Sequence, residues 1–333
     1  MKKTWVWVLG VAAVLTACSG KTFKTAPSAP SAPVPTNTPT FTATGTSTRT
    51  PTASPTETFT PTVTATPTAT LPDFNLSGAV TTLNTGTYNF NCVHLSAGAV
   101  VTINGGVTIF CQCFTLDAGA TITGVGMGYG EWAGPGGGTS ASGSSFTARS
   151  GGGHGGAGGT DHDLNCLIAP GGLANDDPIH PVEMGSGGVN PTGVPGFNYS
   201  WGGGLIKIVV FNPIPGVLNP ATLNGTIDMG GQIGCVGCLG TACGSGGAGG
   251  TILIEASNIA GNGVMAANGG YGPGGGGGGG GIISFIGISN SFVGTLSVHD
   301  GPSVGHGTNG CSAPDPTAQP GIVTFNPAPA TGY

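Results

Sequence analysis

The chain has 333 residues, of which 68 are glycine, 26 proline and only 6% charged, and its formal charge at neutral pH is −6. From Asp73 onward twelve acidic residues face two basic ones, Arg149 and Lys207, so this part repels phosphate backbones and nucleic-acid binding is excluded. At this glycine density GxGxxG matches arise by chance, none lies between a strand and a credible helix, and no GK[ST] occurs, which removes nucleotide binding.

The chain opens MKKTWVWVLGVAAVLTAC: a basic Lys2-Lys3 region, an apolar stretch from Thr4 to Leu15 and small residues before a cysteine. This reads as a secretory signal, too short and wrongly flanked for an ordinary membrane span. Its last four residues, Leu15-Thr16-Ala17-Cys18, resemble the lipobox of bacterial lipoproteins. The resemblance implies a signal peptide over 1–17, cleavage before Cys18 and a covalent lipid there, which makes the membrane a partner. Ser19 after the cysteine fits the family's outer-membrane habit, so the expected place is the surface of a bacterial cell envelope. Coincidence of Cys18 with the cleavage site of a soluble secreted protein is the weaker alternative, since all four positions fit.

After Cys18 the stalk runs to residue 72, and from Lys24 to Pro72 it is mainly Thr, Pro, Ala and Ser, as in RTPTASPTETFTPTVTATPTATLP. Such a segment cannot bury a core and favours polyproline II, so it is predicted to be a disordered stalk. At roughly 3.1 Å per residue it would reach on the order of 150 Å when extended.

A repeat fills the remaining domain, 73–333. CVHLSAGAVVTING (92–105) aligns with CFTLDAGATITGVG (113–126) at an offset of 21. Further on, GLIKIVV leads to TLNGTIDMGG, GTILIEA to IAGNGVMAANGG and GIISFIG to FVGTLSVHDG. Short β-rich runs joined by glycine turns at this period predict an all-β chain, a parallel β-helix or solenoid, with its long glycine-rich insertions on one side and no helix. In TILIEA, Ile252, Ile254 and Ala256 are predicted to face inward and Glu255 solvent. The pattern resembles the glycine-rich β-helix regions of adhesin-like bacterial surface proteins, which implies a fold more than an activity. The glycine segments, among them GPGGGGGGGGIIS (272–284), read either as a polyproline II-like array satisfying its own backbone groups or as flexible loops.

Excluding Cys18, eight cysteines remain in an exported chain, so Cys92, Cys111, Cys113, Cys166, Cys235, Cys238, Cys243 and Cys311 are disulfide candidates. Cys92 and Cys113 hold equivalent repeat positions and would lie one strand spacing apart, about 4.8 Å. Cys111 competes, two residues away and read as lying on the same face. A metal knuckle in CVGCLGTAC lacks a fourth ligand and a second paired motif.

Asp161, Asp163, Asp176 and Asp177 lie in the richest polar stretch and could supply oxygen ligands to calcium, but their spacing matches no known loop, and a solvated acidic loop is favoured. No other cofactor is expected. Trp132 and Trp201, with Tyr129 and Tyr199, flank the longest insertion; they either pin it to the scaffold or meet a glycan or another surface protein. An adhesin-like or matrix role without catalysis is therefore the leading expectation. A polysaccharide lyase or hydrolase is the alternative, through Asp176 and His306, although the basic substrate clamp is absent. Ice or mineral binding through threonine ladders comes third, because the Thr-x-Thr of Thr121 and Thr123 is not repeated on successive coils.

Overall fold

Alternating β-branched and small residues between glycine turns build strands, and the strands stack. A computed structural model describes residues 70–142, 147–162, 166–190, 200–234, 244–303 and 317–327; Cys18 and nearly all of the stalk lie outside them. β1 (Phe74–Leu76) and β2 (Val80–Asn89) form a first rung, β3 (Cys92–Leu95) and β4 (Val100–Cys111) a second. β5 (Cys113–Leu116) and β6 (Thr121–Thr123) open the third. An insertion over 124–204 follows, with two antiparallel pairs: β7 (Ser140–Ser142) with β8 (Thr147–Arg149), and β9 (Asp161–His162) with β10 (Ile168–Ala169). β11 (Leu205–Val210) closes that rung. β12 (Ala221–Leu223), β13 (Thr226–Asp228) and β14 (Thr251–Glu255) make the fourth; β15 (Asn258–Gly261), β16 (Val264–Ala266) and β17 (Ile282–Gly287) the fifth; β18 (Ser289–Phe292), β19 (Thr295–Ser297) and β20 (Ile322–Pro327) the sixth.

Every pairing between rungs is parallel. β1, β3, β5, β12, β15 and β18 form a six-stranded first face. A ten-stranded sheet supplies two more faces, because β2 and β4 bend and pair along both of their halves. β4 turns at Gly105, whose φ of +89° side chains rarely adopt. The second face continues through β6, β13, β16 and β19, the third through β11, β14, β17 and β20. All described elements are strands, so the chain is all-β with stacked parallel sheets, coarsely the arrangement of a β-solenoid.

Inward side chains from all three faces make one core. Val93, Phe114, Ile122, Ile208, Ile227, Ile254, Ile259 and Phe285 belong to it. Burying such a residue contributes roughly 1.5–3 kcal/mol. Ile252, Ile254 and Ala256 point inward as their alternation predicts. Glu255 departs from expectation: it points away from the core yet is only 3% exposed.

The insertions 124–204, 229–250, 267–281 and 298–321 all leave at the corner between the second and third faces. Most of their described glycines are buried, and they bond to one another in steps of three. Gly276 and Gly279 donate to Arg149 and Gly152, Gly278 and Gly281 donate to Gly270 and Ala267, and Gly246 and Gly249 donate to Gly276 and Gly279, at 2.7 to 2.9 Å. Three residues per turn is the repeat of polyproline II, and it aims successive N–H groups at different neighbours. A Cβ on nearly any of these glycines would collide with the backbone of the next segment. The glycine segments thus form a second core, of backbone rather than side chains.

The chain from Pro178 to Glu183 crosses the outside of the third face. Ser284 Oγ donates to the Ile179 carbonyl at 2.6 Å, Thr324 Oγ1 to that of Pro178 at 2.9 Å and Thr251 Oγ1 to that of Glu183 at 2.7 Å. This cover explains why the outward residues Leu253 and Ser284 are buried.

Candidate functional site

In the long insertion a turn lifts one aromatic ring outward. The Ala133 N–H donates to the Gly130 carbonyl, and that of Trp132 to Gly188, both at 3.0 Å. Trp132 sits at the apex with φ +64° and its side chain 43% exposed. Positive φ is uncommon for a bulky residue and marks a position that its surroundings over-determine. The ring borders a cleft of about 370 Å³ lined also by Ser140, Ser142, Thr147, Arg149 and Asn190. Asn190 Nδ2 donates to Glu131 Oε1 at 3.0 Å, and Arg149 is anchored through its N–H to Asp161 Oδ2 at 2.8 Å. An exposed aromatic face beside hydroxyl, amide and guanidinium groups can stack on a sugar's C–H face while bonding its hydroxyls.

The other aromatics do not join this cleft. The Tyr129 hydroxyl donates to Glu183 Oε2 at 2.5 Å; that bond, then burial, pushes its pKa up to about 12. Tyr129 therefore braces the insertion against the segment that covers the third face. Trp201 lies under Gly130 and does not line the cleft. Tyr199 lies outside the described residues.

The acidic stretch folds into a clamp around Asp176. Asp176, its side chain 3% exposed, accepts the N–H groups of Asp177, Val182 and Glu183 and faces His154 Nε2 at 3.3 Å. Burial pushes its carboxyl up, but the His154 contact and those N–H bonds outweigh it and hold the group below the ordinary carboxylate range. His154 Nδ1 meets the Gly249 carbonyl at 2.9 Å, and Thr251 Oγ1 stands 3.5 Å from Nε2. These buried groups tie cover, glycine core and β14 together. Asp177 is exposed, turning its own loop by accepting the Ile179 N–H, while Asp161 is buried at Arg149. Among the described residues no three His, Cys, Asp or Glu side chains converge, and Asp161, Asp176 and Asp177 are not brought together as a set of three; Asp163 lies outside them. His306, needed for the hydrolase-like pairing, also lies outside them.

Cys92 and Cys113 form a disulfide with Cα atoms 4.7 Å apart, as their repeat positions predict. Cys111 does not compete: β4 ends there and the chain turns at Gln112, which leaves Cys111 in the core on a different face. It is a free thiol whose pKa burial raises to about 12. Cys166 is disulfide-bonded, and Cys235, Cys238, Cys243 and Cys311 lie outside the described residues. Sequence reasoning missed the ion pair between Lys207 on β11 and Glu255 on β14, 2.5 Å apart. Alternation predicts that Glu255 faces outward, but only strand register puts it on the strand beside that of Lys207.

No protein-family model, curated protein or solved structure matches the chain.

Proposed function

We propose that this is a bacterial surface lipoprotein, acylated at Cys18, whose Thr/Pro stalk carries a glycine-cored parallel β-helix that binds glycans without catalysis, in adhesion or within the envelope matrix. The observation that carries this reading is Trp132, held outward at a positive φ beside a polar cleft. The surroundings of the carboxylates favour binding over chemistry. Asp176 and Asp161 bond backbone, Glu183 holds Tyr129, Asp117 pairs with His94, and Glu255 pairs with Lys207. A glycosidase needs two carboxyl groups flanking one scissile bond. The test is a glycan array and a whole-cell binding assay with the full chain. Binding that Trp132→Ala abolishes and Trp132→Phe largely retains is expected; a Trp132→Ala variant that binds like the parent would overturn the reading.

A second reading has one observation in its favour. Register stacks Val80, Val100, Thr121, Thr226, Val264 and Thr295 in one outward column of the second face, with Thr82, Thr102 and Thr123 in the next. The repetition that a linear search for Thr-x-Thr misses is thus present in part, with valine standing in for the similarly shaped threonine. A flat array of this kind suits an ordered solid such as ice or a mineral. Inhibition of ice recrystallisation or adsorption to mineral, lost in Thr121→Lys, is the expected result; no activity on either would sink it.

A further inference from the structure

A second cleft, of about 410 Å³, lies on the outer side of the third face, apart from Trp132. Its floor is a row across three adjoining strands, since Val209 is in register with Phe110 on one side and Glu255 on the other. Lys207, two residues earlier on β11, brings its ammonium to Glu255 Oε1. The wall is the loop from Phe211 to Leu218, which pair across its base. Asn212 N–H donates to the Val217 carbonyl at 2.9 Å, Asn212 Nδ2 to Asn219 Oδ1 at 2.9 Å, and Asn219 Nδ2 to the Gln112 carbonyl at 2.7 Å. Pro213 and Pro215 fix φ at two further positions, so the wall is preformed.

The floor holds one charged pair. Glu255 is only 3% exposed, and the Lys207 ammonium beside its Oε1 is the one partner described for its carboxylate. A buried carboxylate with one counter-ion and vacant lone pairs is costly, and an added donor relieves the cost. The pair is neutral overall, so a charged ligand would leave one charge unmatched. A hydroxyl fits better, donating to Glu255 and accepting from Lys207. Apart from Asn212 the rest of the lining is apolar, with aromatic rings at Phe110 and Phe211 that suit a flat ring.

We infer that this cleft binds a neutral phenol-type molecule, an apolar ring system carrying one hydroxyl that sits on the Lys207–Glu255 pair. It goes beyond the glycan reading and involves different residues. The test is a fluorescence titration of the full chain with 1-naphthol, and with naphthalene as the hydroxyl-free control. Saturable one-site binding of 1-naphthol is expected, about tenfold or more tighter than naphthalene, the ratio a hydrogen bond to a charged group supports. Glu255→Gln should weaken 1-naphthol by about tenfold and leave naphthalene unmoved. Val217→Asp, on the exposed loop, should weaken both probes, and it serves if the Glu255 variant does not fold. Trp132→Ala should leave 1-naphthol binding intact, which separates this site from the glycan cleft. No saturable binding, or equal affinity for the two probes with Glu255→Gln unchanged, would overturn the inference.

Discussion

Replacing Gly278 by alanine tests whether the glycine segments are a core. A Cβ there would stand 2.5 Å from the Gly247 carbonyl carbon, nearer still to its oxygen, and 3.0 Å from Ala248 N. Carbon atoms prefer about 3.5–4.0 Å, so the two segments must part by about 1 Å. The bonds that join them, Gly246 to Gly276 and Gly249 to Gly279, are 2.9 Å long. Stretched by that amount they pass the limit of a hydrogen bond. Two buried bonds at about 1 kcal/mol each, with about 1–3 kcal/mol of overpacking, give a loss of about 3–5 kcal/mol. For a domain of this size that is a fall in Tm of about 10 °C. Gly106→Ala is the control, since its Cβ meets nothing within 4 Å and its φ is ordinary. It should stay within about 0.5 kcal/mol of the parent. Thermal melts followed by circular dichroism decide the matter; two variants melting within about 2 °C of each other would refute the reasoning.

Removing the Cys92–Cys113 disulfide, which closes a separation of 21 residues, should cost about 3 kcal/mol in a Cys92→Ala, Cys113→Ala double variant, read from urea midpoints. Asp176 and Asp228 should respond to pH in opposite senses. The folded Asp176 carboxyl lies below its usual 3.8, so its contribution is full above that value and lost as pH falls through the folded one; Asp176→Asn should flatten that acid limb. Burial raises Asp228 above the same value despite the Gly230 N–H, so its charge lowers stability as pH rises through the folded value. Asp228→Asn should raise stability at pH 7, a gain that vanishes below the unfolded carboxyl range. Stability measured across the acid range checks both.

The stacking was legible because it is local. Cys92, Leu95 and the Ala-Gly turn recur 21 residues later, and Cys92 pairs with Cys113 and Leu95 with Leu116 in that register. GLIKIVV, GTILIEA and GIISFIG likewise become adjacent strands. What was not legible depends on chain returning from far away. Glu255 alternates as a solvent residue should, but Lys207 and the packing over the third face bury it. Asp176 reads as part of a solvated acidic loop, and the backbone N–H groups that bury it carry no side-chain signature. The threonine column on the second face is invisible to a linear search because unequal insertions separate its members. The glycine bonding was the hardest to read, since polyglycine has no side-chain pattern to show which neighbour each N–H will meet.

The platform that holds Trp132 in place is only as rigid as these glycines, so amide hydrogen exchange across 274–281 tests the account most directly. Gly276, Gly279 and Gly280 each donate a backbone bond to another insertion or loop, and Gly278 and Gly281 to the opposite limb of their own. They should exchange as slowly as the strand amides of β14 and β17, opening only with the whole domain. Exchange at the rate of an unprotected loop, while those strands remain protected, would contradict it.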